Sequence, residues 1–473
     1  MDTKIKFGTG GWRAVIGEDF TRKNVKRIAN GIAKLIEKED KKHVPVIIGY
    51  DRRFLSDNAA RWMAEVFAAN GIGVYFLHRS APTPLIMHTV KEKGLFYGIE
   101  ITASHNPPTY NGIKLIIEEG RDADIKTTEL LEELIENNTT PIKTISFDKA
   151  VALGKIKYLK NPFNDYIDGI LEQLDVEALR NRGLRVLFDS MHGSGTYPLL
   201  TIFYTTRCTI DTINTNKDAY FGGAMPAPTE ETLSKLRDEV VKGGYDMGIA
   251  LDGDGDRLGI IDNNGRYITA NEILCMLYYY LVKFQGWRGP VVRNMSTTHL
   301  LDKIAESFGE KCYEVPVGFK HISAKIDETC AVLGGESSGG LTVRGHIHGK
   351  DSVYAASLFA EMISKIGKTP SEIMTEIEEQ FGKFVMVEDN LTFTQEDKTR
   401  INQIVMIEKQ LPDFGIEVEK ATYIDGCKVY FKNGDFITCR FSGTEPLLRY
   451  FAESSNKETA KKYIEIFKKF LSQ

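Results

Sequence analysis

Short apolar runs alternate with helix-length amphipathic stretches along most of the chain. "VPVIIGYD" (44–51) reads as a strand, followed by a helix from about Asp57 to Asn70 and a second strand at "GVYFL" (73–77). "YGIEIT" (97–102) carries β-branched residues and ends in a polar cluster, as a strand does when it runs into a loop. "LRVLFDS" (184–190), "TIDTIN" (209–214) and "DMGIALDGD" (246–254) form a second set of strands, and "GPVVRNMS" (289–296), "KCYEVPVG" (311–318) and "AVLGGESS" (331–338) a third. Strands alternating with helices predict α/β units with mixed, mostly parallel sheets. The end of the chain differs. "CKVYFKNGDFITCRF" (427–441) reads as two strands around a "KNGD" turn. In "SNKETAKKYIEIFKKFLSQ", Ser455 and Glu458 have capping-box spacing, and Tyr463, Ile464, Phe467, Phe470 and Leu471 follow a helical stripe. The pattern predicts three consecutive α/β domains, 1–157, 158–266 and 267–380, and a C-terminal α+β domain, 381–473. The three α/β blocks are similar in size, with no clear repeat at the level of residues.

Composition agrees with several cores. A chain of 473 residues, 42% of them hydrophobic, exceeds what one core organises and predicts roughly three or four domains of ~100–150 residues. Charged residues make up 26% and the net charge is −5, an ordinary surface that gives no support to nucleic-acid wrapping. "MDTKIKFGTGGWR" has no apolar core of signal-peptide length. The longest apolar run, "ILCMLYYYLV" (273–282), falls far short of the ~20 residues that cross a bilayer and predicts a helix buried on most sides. No nucleic-acid or membrane partner is expected, and a cytoplasmic location is. Cys208, Cys275, Cys312, Cys330, Cys427 and Cys439 lack CxxC spacing and read as reduced core thiols, not a disulfide frame or a zinc site.

The candidate chemistry sits in loops at strand ends. "GIEITASHNPPTYNGIK" (98–114) sets Ser104 beside His105. Neighbours on an extended chain point to opposite faces, so His105 is poorly placed as a base for Ser104. The stretch also lacks the G-x-S-x-G elbow of acyl hydrolases. "LDGDGDRLGI" (251–260) alternates Asp252, Asp254 and Asp256 with glycines, which let the backbone curl until the carboxylates converge. Three hard oxygen ligands suit Mg²⁺ or Ca²⁺, and three crowded carboxylates repel unless a cation neutralises them. An EF-hand fails, because the twelfth position from Asp252 is Asn263. Arg257 follows and is suited to hold a phosphate near the metal.

"GGESSGG" (334–340) places Glu336 and Ser338 where α/β proteins bind ligands, with groups that hydrogen-bond neutral sugar hydroxyls. "RFSGTEPLLR" (440–449) offers Arg440, Ser442, Gly443 and Thr444, an inventory for a phosphate dianion, with Arg449 closing the stretch. "FGTGGWR" adds Arg13 beside a glycine-rich turn, weak evidence by itself. Taken together, a phosphoserine at 104 would give the three aspartates an extra oxygen ligand, and the metal would withdraw charge during phosphoryl transfer. Lys114 is a candidate base for the accepting hydroxyl, since lysine pKa values fall readily near cations or on burial.

In this order the four loops resemble the α-D-phosphohexomutase superfamily, on "TASHNPPTYNGIK", "DGDGDR", "GGESSGG" and "RFSGTEP". The resemblance spans nearly the whole chain and implies a four-domain enzyme whose domains each give one loop to a central cleft. It implies that Ser104 carries a phosphoryl group, passes it to a sugar monophosphate, and regains one from the resulting bisphosphate. Ser104, Asp252, Asp254 and Asp256 would bind Mg²⁺. Lys114 would serve as base in one half-reaction, Arg13 and Arg257 would assist, and His105 would shape the phosphoserine's surroundings. Glu336 and Ser338 would meet the sugar 3- and 4-hydroxyls, and Arg440, Ser442, Gly443 and Thr444 the non-reacting phosphate.

Within the superfamily the chain is most similar to phosphoglucomutases. Phosphomannomutase-type members commonly end the sugar loop with His, where this chain has Gly340. "RGHIHGKDS" (344–352) resembles a phosphoglucomutase segment, which makes His346 a candidate catalytic residue and Lys350 and Asp351 the matching pair, with Ser352 replacing the usual glycine. "PVGFKHI" (316–322) adds Lys320 as a substrate contact, while Ala224 stands where the family usually has Arg. The implied reaction interconverts hexose 1-phosphate and hexose 6-phosphate, glucose first, with glucose 1,6-bisphosphate as intermediate and activator. The implied partner is a small sugar phosphate, and the assembly a monomer or homodimer. Phosphomannomutase and phosphoglucosamine mutase are the alternatives within the superfamily; a catalytically idle sugar-phosphate-binding relative is the alternative outside catalysis.

Overall fold

The computed structural model describes residues 4–8, 10–442 and 447–472. Gly443 and Thr444 of the expected phosphate loop lie outside the described residues. The chain divides into two compact units, residues 1–273 with 338–371, and residues 274–337 with 372–473.

The first unit holds two mixed sheets. In the first, the buried strand Val46–Tyr50 pairs in parallel with Val74–Phe76 and Tyr97–Ile101, and Tyr97–Ile101 pairs antiparallel with Tyr110–Ile117. Trp12–Val15 adds an antiparallel edge on Tyr110–Ile117, and Ile156–Tyr158 a parallel edge on Val74–Phe76. A strand covered on both faces reads as a continuous apolar run, as "VIIGY" does. On one face Val46, Ile48 and Tyr50 pack with the helices Arg22–Lys38 and Ser56–Ala69. On the other, Gly49 and Gly98 lie against Ile86 and Val90 of the helix Thr83–Glu92. The helix Arg22–Lys38 starts where the Thr21 hydroxyl accepts from the Asn24 backbone N–H, satisfying one of the unpaired donors of its first turn.

The second sheet of this unit pairs Arg185–Asp189 in parallel with Thr209–Ile213 and Met247–Leu251, then continues antiparallel through Leu258–Asp262 and Tyr267–Ile268. The metal-loop sequence is the turn between the antiparallel strands Met247–Leu251 and Leu258–Asp262.

In the second unit, Val291–Asn294 pairs in parallel with Cys312–Val315 and Leu333–Gly335. Residues from Val385 onward form a five-stranded antiparallel sheet in the order Val385–Thr392, Leu447–Ser454, Phe436–Phe441, Cys427–Phe431, Val418–Thr422. The helix Lys457–Leu471 buries Tyr463, Ile464, Phe467 and Leu471 in this domain's core. The hairpin around "KNGD" forms as the pattern predicts. The helix cap differs: Asn456, not Ser455, accepts from the Thr459 backbone N–H. None of the six cysteines is in a disulfide, but Cys330 is exposed and Cys312 half-buried, so two of the six are not core thiols. Among the described residues no helix is long and apolar enough to cross a membrane.

Candidate active site

Ser104 follows the strand Tyr97–Ile101 and is fully buried. Its φ of +52° places it in the left-handed region, which non-glycine residues adopt only when surrounding contacts fix them. Those contacts are specific. The Ser104 N–H donates to Thr102 Oγ1 at 2.8 Å, and the Arg53 guanidinium donates to the Ser104 carbonyl. Arg53 also donates to the carbonyls of Asn106, Pro107 and Tyr110, at 2.7, 2.9 and 3.1 Å. Asp51 in turn holds Arg53 Nε at 3.2 Å and accepts from the hydroxyls of Ser56 and Thr102, each at 2.7 Å. Asp51 and Arg53 are buried and stand at the C-terminal end of the neighbouring parallel strand. Sequence reasoning missed both; the signal was the charged "DRR" directly after an apolar strand.

The left-handed Ser104 overturns the expectation for His105. The chain turns instead of running extended, and His105 Nδ1 comes to 3.3 Å from Ser104 Oγ. Burial, then Arg257 and Arg13, push the His105 pKa well below its ordinary value, so the ring is neutral. Arg13 NH1 donates to Asn106 Oδ1 at 2.6 Å and steadies the same loop. Its strand runs close to Gly112, where a Cβ would lie 2.3 Å from the Trp12 carbonyl.

The three aspartates converge. One carboxylate oxygen from each of Asp252, Asp254 and Asp256 lies within 4.8 Å of the others, and all three residues are buried. Asp252 Oδ1 accepts from the backbone N–H groups of Asp256 and Arg257, at 2.8 and 3.0 Å, which fixes the curl of the loop. Its Oδ2 accepts from the Ser104 hydroxyl at 3.1 Å. Asp254 Oδ2 accepts from Thr83 and Lys114, both at 2.7 Å. Asp256 Oδ2 accepts from Lys114 at 2.7 Å and pairs with Lys350 at 3.1 Å. The second oxygens, Asp254 Oδ1 and Asp256 Oδ1, are buried without a hydrogen-bond partner. Burial, then its two acidic neighbours, push the Asp252 pKa well up. Burial opposes ionisation of Asp256 too, but Lys114, Lys350 and Arg257 outweigh it and hold the pKa well down. Arg257 Nε lies 3.9 Å from Asp256 Oδ1. Two buried, unpartnered carboxylate oxygens, from Asp254 and Asp256, beside the Asp252 oxygen that faces Ser104, fit the donor set of a hard divalent cation.

Lys114 is buried opposite Glu100 on the paired strand. Burial disfavours its ammonium, but Asp254 and Asp256 more than offset this and raise its pKa; it carries its proton, so the lowered pKa expected of a base is not found. Glu100 is buried with both carboxyl oxygens unpartnered. Burial, then Asp51 and Asp254, push its pKa well up, which keeps it neutral.

His346 is not drawn to this cluster. Its Nε2 pairs with Asp351 Oδ2 at 2.7 Å and its Nδ1 with Gln173 at 3.1 Å, while Tyr166 donates to both Asp351 oxygens at 2.8 Å. Asp351 also caps the helix Ser352–Ile366 by accepting from the Tyr354 N–H. In that segment it is Lys350 that reaches the aspartates, and a Cβ on Gly340 would lie 2.1 Å from Lys350 Cδ.

In the second unit, Glu336 accepts from Asn294 Nδ2 and the Gly318 N–H, each at 3.1 Å. Lys320 lies in the first turn of the helix Phe319–Thr329 and is half-buried. Arg440 and Arg449 are cross-strand partners, so two guanidinium groups share one face at the base of the loop between their strands. Each has an acidic partner, Asp425 at 3.3 Å and Glu388 at 3.6 Å. The Ser442 N–H donates to the Leu447 carbonyl at 2.8 Å and closes that loop. Ser338, which belongs to the first unit, is exposed.

Comparison with known proteins matches four domain models of one family. Residues 4–141 match phosphoglucomutase/phosphomannomutase α/β/α domain I, 164–265 domain II, 269–381 domain III and 390–469 the C-terminal domain. A phosphoglucomutase/phosphomannomutase of Thermococcus kodakarensis is 28% identical, covering 99% of this chain and 98% of its own. A phosphoglucosamine/phosphogalactosamine mutase of Sulfurisphaera tokodaii is 27% identical, covering 98% of each. The crystal structure of a phosphoglucomutase/phosphomannomutase family protein from Burkholderia thailandensis shares the fold, with a TM-score of 0.84 at 21% identity over 100% of this chain and 98% of that one. With all four domains present in order, the chain belongs to the phosphoglucomutase/phosphomannomutase family, in the α-D-phosphohexomutase superfamily, and is a phosphohexomutase.

Proposed function

We propose that the protein interconverts hexose 1-phosphate and hexose 6-phosphate, with glucose as the preferred hexose, through a phosphoserine at Ser104. The observation that carries this is the Ser104 hydroxyl 3.1 Å from Asp252, in a buried cluster where Asp254 and Asp256 each keep one oxygen unpartnered. In the forward half-reaction a sugar hydroxyl oxygen bonds to the phosphorus on Ser104, the hydroxyl proton leaves to a basic group of the site, the Oγ–P bond breaks, and Ser104 Oγ takes up a proton to become the hydroxyl again. The reverse transfer takes the other phosphate of the bisphosphorylated sugar back to Ser104. Asp252, Asp254, Asp256 and the Ser104 phosphate would hold Mg²⁺, which would withdraw charge from the phosphoryl group in transit.

This chain's own groups do the rest. Arg53 and Asp51 keep the Ser104 loop in its left-handed turn. His105 sits within reach of Oγ, Lys114 and Lys350 bring positive charge to the triad, and Arg13 and Arg257 lie at its edge. Glu336 recognises sugar hydroxyls, and Arg440 with the loop that follows it takes the phosphate that does not react. Glucose 1,6-bisphosphate serves as intermediate and primer.

Two observations favour the glucose branch: Gly340 ends the sugar loop, and the Lys350 chain fills the space a side chain there would need. A second reading, a phosphoglucosamine mutase, has support in relatives of that name that align along nearly the full chain. The test is turnover of glucose, mannose and glucosamine 1-phosphates, each with its bisphosphate primer. The highest kcat/KM on glucose 1-phosphate supports the proposal. A preference for glucosamine 1-phosphate replaces it with the second reading, and turnover of none rejects both.

A further inference from the structure

The second unit contains a buried charged cluster that no step above uses. Lys428, on the strand Cys427–Phe431, is completely buried. Its Nζ donates to Glu314 Oε2 at 2.6 Å and to the Met295 carbonyl at 2.8 Å, and lies 3.0 Å from His299 Nε2. It also stands over the Phe436 and Tyr430 rings, at 3.9 and 4.9 Å. Arg293 shares the same Glu314 oxygen at 2.6 Å and pairs with Asp302, while Tyr430 donates to the other Glu314 oxygen. A lysine buried this deeply is costly unless placed partners balance its charge, as Glu314 and the Met295 carbonyl do here.

The destinations of these bonds are informative. Met295 follows Asn294, whose side chain donates to Glu336. Asn294 Oδ1 also accepts from Ser296 N–H and the Thr297 hydroxyl, each at 2.9 Å, so the loop after the strand is one hydrogen-bonded turn. Two residues beyond that turn, His299 N–H donates to Glu453 of the C-terminal sheet at 2.8 Å. Glu336's second donor is Gly318 N–H, and the adjacent Val317 N–H donates to Asp425, the partner of Arg440, at 3.0 Å. Both loops that hold Glu336 are thus held in turn by C-terminal residues.

We propose that Lys428, together with Asp425 and Glu453, is a positioning residue that fixes the two loops orienting the Glu336 carboxylate. The fit of the sugar-recognition group then depends on how the C-terminal domain is seated. The inference rests on the reading of Glu336 as a sugar contact. Burial, then Arg293, pull the Lys428 pKa down to about 7, with Glu314 opposing. The ammonium is therefore sensitive to its surroundings, which also include His299, Glu453, Asp302 and, over the Tyr430 ring, Lys420.

The test uses the full chain with Lys428→Met, which keeps the length of the side chain and removes its charge, and Lys428→Arg. Hydrogen–deuterium exchange is followed across residues 294–299 and 316–318, beside KM and kcat for glucose 1-phosphate and for its 4-epimer, galactose 1-phosphate. The expected result is faster exchange confined to those two segments. KM should rise roughly 5–10-fold with kcat changed less than about threefold, discrimination between the epimers should fall, and Lys428→Arg should recover part of each. Should Lys428→Met fail to fold, Asp425→Ala frees the Val317 N–H from the surface side and is expected to loosen 316–318 alone. Unchanged exchange in both segments, or exchange that rises evenly over the whole unit, overturns the proposal. The exchange result needs no turnover, so it stands even if the assignment of hexose phosphates as substrates fails.

Discussion

Replacing Lys114 by Met tests the electrostatics of the site most severely. The ammonium lies 2.7 Å from both Asp254 and Asp256, and all three groups are buried. At an effective dielectric of about 20, one unit pair at that distance is worth roughly 6 kcal/mol, so two pairs give a gross attraction of roughly 12 kcal/mol. Desolvating the three charges consumes most of this. What the variant exposes is the cost of leaving carboxylates buried and uncompensated, about 3–5 kcal/mol for a broken buried pair. Methionine retains most of the side-chain volume, so little of the loss is packing. The first unfolding transition of Lys114→Met in urea, with chelator, should therefore move to lower denaturant by an amount equivalent to about 3–5 kcal/mol. Added Mg²⁺ should restore more stability to the variant than to the wild type, because a cation is the alternative neutraliser of the same oxygens. Turnover should fall as well, because the triad loses the ammonium that pairs with Asp254 and Asp256. A urea midpoint within error of the wild type, with or without Mg²⁺, would refute the reasoning.

Other perturbations separate the remaining parts of the structure. His88 is buried against Tyr166, and burial, then His346, pull its pKa from 6.5 to about 4. Its folded value lies below its unfolded one, so the unfolded state binds the extra proton and stability is lost as pH falls from about 6.5 to 4. At about 1.36 kcal/mol per pH unit this is roughly 3 kcal/mol, and His88→Gln should lack that slope in urea titrations across the range. Gly49→Ala should destabilise the first unit by about 1–3 kcal/mol, because the new Cβ would lie 2.3 Å from Glu100 Oε2 and 2.4 Å from Ile86 Cδ1; an unchanged melting temperature would show that the sheet and the helix Thr83–Glu92 part easily there.

The strands legible in the sequence are short runs rich in apolar residues, while Trp12–Val15, Val385–Thr392, Val418–Thr422 and Leu447–Ser454 escape that pattern. The aspartate triad was legible because a glycine at positive φ, Gly255, lets alternate carboxylates face one another. What escaped was set by tertiary contact. Ser104 and His105 share a face because Arg53 and Asp51, from the adjoining strand, clamp the loop into a left-handed turn. That clamp depends on the parallel register Tyr50↔Ile101, which "YDRR" does not display. His346 matched a family segment by position, but its ring is taken by Asp351 and Gln173, and Asp351 by Tyr166, a residue distant in sequence. The shift of the helix cap from Ser455 to Asn456 is smaller: both side chains cap well, and only the backbone at the junction decides between them.

The central claim is that Ser104 carries a phosphoryl group, and mass spectrometry tests it directly. Purified protein is incubated with glucose 1,6-bisphosphate, digested, and the peptide containing residue 104 is weighed before and after addition of excess glucose 6-phosphate. A gain of one phosphoryl group mapped to Ser104, lost on adding the monophosphate and absent from Ser104→Ala, is the predicted result. Full hexose phosphate turnover by Ser104→Ala, with no phosphoryl group on the wild-type peptide, would contradict it.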